Sequence, residues 1–505
     1  MPHSTSYILH STLKPPFYIL HYTFYILLAF AMMSCTSSTK PKTGSLSGRV
    51  ILVNDTGDPS LDPIDFSGVT VALYELAELD TTIVRINQEY PQIGVQISQE
   101  TEFDHRLQNP VKVGTTDAIG SYSFSSIPYG RYNLAIIRDG WGLRYEYNIL
   151  IDDSSKQQGD RITGEATLYP TRYLNTVEQG YLEFLPDRSY IVAEDTSVLA
   201  DCRFNGGAKL FIAPGRSLNF HGDLDYDSGT NTYTRISSSD GLHAITMITS
   251  IEPFNRVMFS NDQEPVLSHI VIDHGVDGIR FQSGGTLRNS IVGEMTANGV
   301  SVGAGTFNAE NMVVRGNDTI GLLTQAGGKV QSSIFLGNGE GLFINEAIVN
   351  ASNNYIVNNR IGVRSLYGAS TINNNCFDRN VFGLSICAAD PSVTLNSFYA
   401  NSTDIELNKS WVSYQVYQYC SPTIESNNFL GSGLYISLYG KNIIGGSSAT
   451  QGIGVISNQH YPNNYYTASD LMMHLFDSDY PGSNVQYSID YMPRRLSINP
   501  SAGIQ

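Results

Sequence analysis

The sequence predicts an all-β chain in two parts, a small β-sandwich followed by a solenoid of short stacked coils. Three observations predict it. Asparagine returns every 21 residues, at Asn317, Asn338, Asn359, Asn380 and Asn401. Two apolar columns keep the same step: Val330, Ala351, Ile372, Val393 and Phe335, Ile356, Phe377, Phe398. A glycine followed by an apolar residue recurs at Gly278, Gly299, Gly321, Gly341, Gly362 and Gly383, then at Gly433 and Gly452, with Asp404 in glycine's place between them. A fixed period near 20 residues made of short strands means coils that bury one another's faces.

In chain order, Phe17 to Ser34 is an apolar stretch ending at Cys35, and a polar run from Thr36 to Gly44 follows. This resembles a bacterial lipoprotein signal. The resemblance implies a signal over 1–35, lipidation of Cys35, a polar tether over 36–45 and attachment to the outer membrane through lipid alone. The same stretch is just long enough to span a bilayer as an uncleaved anchor. Either way the chain is exported, facing the periplasm or the medium.

Residues 46–155 read as a small β domain. Ser47–Leu52 and Val69–Tyr74 alternate with period two, as half-buried strands do. Tyr122 and Phe124 share one face, Pro128 and Gly130 mark a turn, and Tyr132 and Leu134 resume the buried side. The pattern is similar to the carboxypeptidase regulatory-like, transthyretin-like sandwich, which implies a spacer without catalysis. Asp80 to Val113 is longer than that family's pattern and is expected to be an extended loop or extra hairpin. Trp141, between Gly140 and Gly142, reads as a packing residue, with stacking on a sugar as the sharper alternative. A polar segment near Asp152 to Gly164 opens a linker assigned to 156–180.

From 181 to 460 the chain resembles the right-handed, single-stranded parallel β-helix repeat proteins, opening with Ser189–Asp195 and Ala208–Phe220. The Phe335 file is then the dry core, each buried member contributing about 1.5–3 kcal/mol. The asparagine column belongs at a tight corner, where each amide bonds to those above and below. Residues 461–505 read as a cap with a short helix over Leu471 to Phe476. Sandwich and cap are expected to cover the two open ends, whose unpaired edges invite association.

A net charge of −17, from 47 acidic and 30 basic residues, argues against nucleic acid as a partner. Charged residues make up only 15% of the chain, so the surface is mostly neutral and polar, as in many sugar-handling and extracellular β proteins. The cysteines beyond Cys35 are Cys202, Cys376, Cys387 and Cys420, with no CxxC pair or zinc-ligand spacing. These four could pair in an oxidising compartment; Cys376, beside Phe377, reads better as a small buried hydrophobe.

Two groups of residues could carry function. The longest step, 29 residues from Asp404 to Gly433, holds an insertion with Trp411, Tyr414, Tyr417 and Tyr419. Insertions in solenoids map to surface loops, and an aromatic cluster suits a sugar-binding groove. Asp273, His274, Asp277 and Arg280 form a charged cluster fit for acid–base work or calcium, as in parallel β-helix lyases and hydrolases. Asp378, Asp404 and Glu406 could meet on neighbouring rungs. The paired aspartates with Gly-His-Gly of polygalacturonases are absent, as are a nucleophile triad, a P-loop and a dinucleotide fingerprint. The expectation is a non-catalytic cell-envelope lipoprotein presenting an extended surface to a polysaccharide or cell-surface protein, without a cofactor, calcium aside. The alternative is a polysaccharide lyase or glycoside hydrolase acting on a polyuronate or other polysaccharide.

Overall fold

The computed structural model describes residues 42–152, 161–227, 232–260, 264–408, 410–413, 416–418, 420, 422–431, 433–438, 459–460, 463–467, 475–477, 489–490 and 494–505. Cys35 and the signal-like stretch lie outside the described residues.

Residues 172–408 form a parallel β-solenoid of about 11 turns. Each coil lays one strand on each of three faces: Ile334–Leu336 on the first, Glu340–Asn345 on the second, Val349–Ser352 on the third, before Tyr355–Val357 starts the next coil. The first and second faces are parallel sheets of 13 strands each. Inward residues pair one coil to the next, as Phe335, Ile356, Phe377 and Phe398 do on the first face. Val330, Ala351, Ile372 and Val393 do the same on the third. The phenylalanine file continues as parallel stacked rings: Phe377 on Phe398 at 4.8 Å, Phe398 on Phe429 at 5.1 Å, Phe429 on Tyr466 at 5.0 Å.

Corner chemistry explains the abundance of asparagine and glycine. Before each turn from the first to the second face stands a residue in the left-handed region: His274, Glu294, Gly316, Gly337, Asn358, Arg379 and Ala400, with φ between 50° and 66°. An asparagine follows it in the later coils. The Asn359 amide donates to Phe335 O and Val357 O, both at 3.0 Å, and to Asn380 Oδ1 at 3.1 Å, while its own oxygen accepts from Asn338 N and Nδ2. Every polar atom of that buried amide is used, which is what burial requires. A second ladder stands at the turn from the third face back to the first: Asn354, Asn375, Asn396, Asn427 and Asn464. The glycine column next to the first ladder has a steric cause. A Cβ on Gly341 would lie 2.6 Å from Gly362 O, and one on Gly362 would lie 2.4 Å from Gly383 O.

The N-terminal module is a pair of small sheets around one core. Thr43–Leu52 pairs antiparallel with Ser121–Pro128 and parallel with Arg161–Leu168. The facing sheet runs Lys112–Thr115, Thr70–Glu75, Gly130–Arg138, Gly142–Ile151. Leu46, Val50, Leu73, Phe124, Leu134, Ile149 and Leu168 meet between them, and Trp141 packs against their edge. The first sheet therefore reaches past residue 155 to Leu168, and solenoid pairing begins at Arg172–Tyr173.

Three expectations are corrected. The stretch from Asp80 to Val113 is neither loop nor hairpin. It contains helix α1 (Thr81–Glu89), helix α2 (Gln99–Glu102) and a 3-10 turn over His105–Leu107. Asp80 caps α1 by accepting from Thr82 N and Ile83 N. Ile83 and Ile86 form its buried stripe, which rests with Ile93, Val95 and Ile97 on Val271, Ile291, Val313, Ile334, Tyr355 and Val357. Second, the module does not cover an end of the solenoid. Ala72, Tyr74, Ala135 and Ile137, on the outer side of its four-stranded sheet, pack against Ile191 and Phe211 on the flank. The first-face strands are thus apolar on both sides (Ile270-Val271-Ile272, Ile334-Phe335-Leu336), as strands covered on both faces are. Third, Leu475–Asp477 is a strand extending the second face beside Leu434–Leu438, not part of a helix. The final residues also run along the side: Asn374 Nδ2 donates to Ser501 O at 3.1 Å, and Gly503 N to Leu395 O at 2.8 Å.

Candidate functional site

A cleft of about 820 Å³ opens where the 75–111 segment leans on the first face. Its walls carry Glu102 and Asp104 from the module and Arg235, Asp273, His274, Glu294 and Arg315 from the solenoid. Strand register explains the solenoid side. Asp273, Gly293 and Arg315 occupy one outward column, and His274 and Glu294 follow as left-handed corner residues one rung apart.

The charges are paired at the junction, one pair within the solenoid, one within the module and one between them, and the guanidinium groups also bond across it. Arg235 bonds Asp273 at 2.8 Å and donates to Thr101 O at 2.8 Å. Arg315 reaches Glu102 at 2.8 Å. Arg106, only 1% exposed, holds Asp104 at 2.6 Å and donates to Ser238 O, Asp240 O and Ser237 Oγ. Burial works against the Asp104 charge, but Arg106 overcomes it and holds the carboxyl at about 2. Asp273 is likewise held far below the usual carboxylate range by Arg235 and His274 despite burial. Burial pushes the neighbouring His105 down to about 4, so it is neutral at pH 7. His274 gives Nδ1 to Asp273 at 2.9 Å, and that carboxylate raises its pKa against the effect of burial. Glu294 stands at the solvent-exposed mouth of the cleft, yet the walls desolvate its carboxyl enough to raise its pKa.

The cleft thus spends its guanidinium groups on buried carboxylates. What remains for chemistry is an oriented imidazole beside Glu294, with Glu75 and Glu78 on the module side, and no Phe, Tyr or Trp is among the lining residues. Among the described residues no three His, Cys, Asp or Glu side chains are grouped to hold a metal ion. Cys202, Cys376 and Cys420 are buried thiols, and Cys376 packs against the 75–111 segment.

The other charged candidates do not converge. Asp277 Oδ1 accepts from Asn298 N and Nδ2, a corner bond of the same kind as the ladders. Arg280 points outward from the second face, away from the cleft. Asp378 lies on the first face, bonded by Arg379 and Tyr355 and 3.8 Å from Arg85 of α1. Asp404 is inside the corner, where its Oδ1 accepts from Asn401 Nδ2 at 2.9 Å. Glu406 points outward from the second face and accepts from Ser385 Oγ at 2.7 Å. The adjacent-rung grouping fails because consecutive strands of one coil face different ways.

The insertion after Asn408 is an antiparallel hairpin of Ser410–Ser413 and Val416–Gln418, with Trp411 opposite Tyr417 in register. Tyr414 and Tyr419 lie outside the described residues. The hairpin leaves the coil between the second face and the third-face strand Thr423–Glu425. Beside it the third face turns Asn350 and Ser352, Thr371 and Asn373, and Ser392 and Thr394 outward on three successive rungs.

Sequence reasoning found Asp273 and His274 but not Asp104, Arg106, Arg235, Glu294 or Arg315. Arg315 did carry a signal, since it ends the apolar run Met312–Val314. Comparison with protein-family models, with curated proteins and with solved structures returned no match.

Proposed function

We propose that the chain is an exported, lipid-anchored scaffold of the cell envelope whose solenoid binds a polysaccharide and does not cleave it. One observation carries this reading: the outward residues of the third face are hydroxyls and amides over three rungs, while the arginines of the charged cluster are taken up by carboxylates and by bonds between the module and the flank. A rigid array of hydrogen-bonding groups loses little entropy when a sugar docks. The apolar run before Cys35 supports export, and the net charge of −17 disfavours nucleic acid. A second reading, a polysaccharide lyase or glycoside hydrolase, rests on His274 and Glu294 in the cleft.

Affinity electrophoresis of residues 42–505 through gels containing single polysaccharides tests the first reading. Retardation by at least one polysaccharide is expected. Unretarded migration through neutral, acidic and basic polysaccharides alike would remove it.

A further inference from the structure

We infer that the third face of the solenoid holds a linear, uncharged polysaccharide along the solenoid axis, one sugar to a rung, over Asn350 to Thr423. This rests on the polysaccharide-binding reading above and names the surface and the class of glycan.

The floor is in unbroken register. Asn350 pairs with Thr371, Thr371 with Ser392 and Ser392 with Thr423, while Ser352, Asn373 and Thr394 form a second column. Between the columns Ala351, Ile372, Val393 and Ile424 are fully buried, which fixes the backbone under the exposed groups. Rungs lie about 4.8 Å apart and alternate residues of one strand about 7 Å apart, so the outward groups form a two-column lattice. The rung spacing is close to the advance per residue of an extended, equatorially linked pyranose chain. Successive sugars can therefore meet successive rungs without either partner bending.

The chemistry also matches. Each hydroxyl of the lattice both donates and accepts, as a sugar hydroxyl does, while the Asn373 amide donates to Asn374 Oδ1 and keeps its own oxygen buried. Thr371, Thr394 and Thr423 are stiff at χ1, so their hydroxyls are directed before the ligand arrives. Arg288, Glu310 and Lys329 occupy the outward columns above the window, and on its last rung Glu425 stands beside Thr423 and ends the second column after Thr394. Between these ends a chain of net charge −17 places no ionised group on the three rungs Asn350/Ser352, Thr371/Asn373 and Ser392/Thr394. A neutral glycan loses no ion hydration on entering, whereas a polyuronate would meet no cation. The hairpin that precedes Thr423 in the chain carries Trp411 and Tyr417, residue types that pack on pyranose C–H faces.

The test uses residues 42–505 with three soluble polymers: glucomannan and hydroxyethyl cellulose as neutral chains, polygalacturonate as the anionic one. Dissociation constants come from affinity electrophoresis and calorimetry. Thr371→Lys and Thr394→Lys are compared with Ser301→Lys, an outward position of the second face. Thr371→Ala with Ser392→Ala serves as a milder pair should the lysines disturb folding, and thermal melts check each protein. The expected result is binding of a neutral polymer, weakened about tenfold or more by the third-face substitutions and unchanged by Ser301→Lys. Neutral binding unaffected by all third-face variants would overturn the placement and leave the polysaccharide reading standing. Binding of polygalacturonate alone would overturn the neutral class. Binding of no polymer would end both.

Discussion

Arg106→Ala will free the N-terminal module from the solenoid flank, at a cost of about 3–5 kcal/mol. Arg106 is almost fully buried, and its guanidinium joins Asp104 to the backbone of Ser238 and Asp240 and to Ser237. Alanine leaves the Asp104 carboxylate buried without its cation, and the desolvation already spent on it is no longer offset. The double variant Asp104→Asn with Arg106→Met should recover most of the loss, because a buried pair replaced by neutral groups of similar size is often tolerated. Denaturant unfolding followed by tyrosine fluorescence and by far-UV circular dichroism checks this. In the single variant the module's transition should move ahead of the solenoid's. Coincident transitions at the wild-type midpoint would show that Arg106 is not the joint.

The second large effect is a loss of stability as pH rises from about 4 to about 8, caused by Asp404. This aspartate takes the next place in the column of Gly341, Gly362 and Gly383 and ends the asparagine ladder under Asn401. It is fully buried, and its Oδ2 has no hydrogen-bond partner. Burial raises its pKa to about 8, opposed only by the Asn401 amide. An unfolded aspartate releases its proton near 3.9, so across this window the unfolded chain binds fewer protons and stability falls as pH rises. At pH 7 the contribution is about 4 kcal/mol of lost stability. Asp404→Asn keeps the shape and cannot ionise. It should raise the melting temperature at pH 8 and flatten its slope between pH 5 and 8. Asp104 acts in the opposite sense: its low pKa gives stability that is whole above about 4 and lost as pH falls through about 2. A wild-type protein as stable at pH 8 as at pH 5, with Asp404→Asn unchanged, would mean that the carboxylate finds a cation or water.

The coils were legible because their cause is local and repeated. A residue that must fit above its copy one turn back recurs at a fixed step, as Asn338, Phe335 and Gly341 do. The second ladder was equally open to reading, since Asn354, Asn375 and Asn396 share the 21-residue step. It was hidden where the hairpin stretches the next step to Asn427. The docked module was not legible, because α1 buries Ile83 and Ile86 against strands about 200 residues away, and nothing local names that partner. The run of double-sided apolar strands was the one trace of it. Sequence proximity misled at Asp273 to Arg280, where a left-handed corner at His274 sends neighbouring side chains to different faces. It misled again at Asp404, where a meeting with Asp378 and Glu406 on neighbouring rungs needed an outward carboxylate and the corner holds a buried one.

Whether the cleft is a joint or a reaction centre is decided by incubating residues 42–505 with each polysaccharide they retain and counting new reducing ends and unsaturated products, for the wild type and for His274→Gln. A joint predicts no product above buffer from either protein, undiminished retention by the variant, and a lower melting temperature where Asp273 has lost its imidazole partner. Product released by the wild type and abolished in His274→Gln at an unchanged melting temperature would contradict it, and would make His274 and Glu294 the acid–base pair of an enzyme.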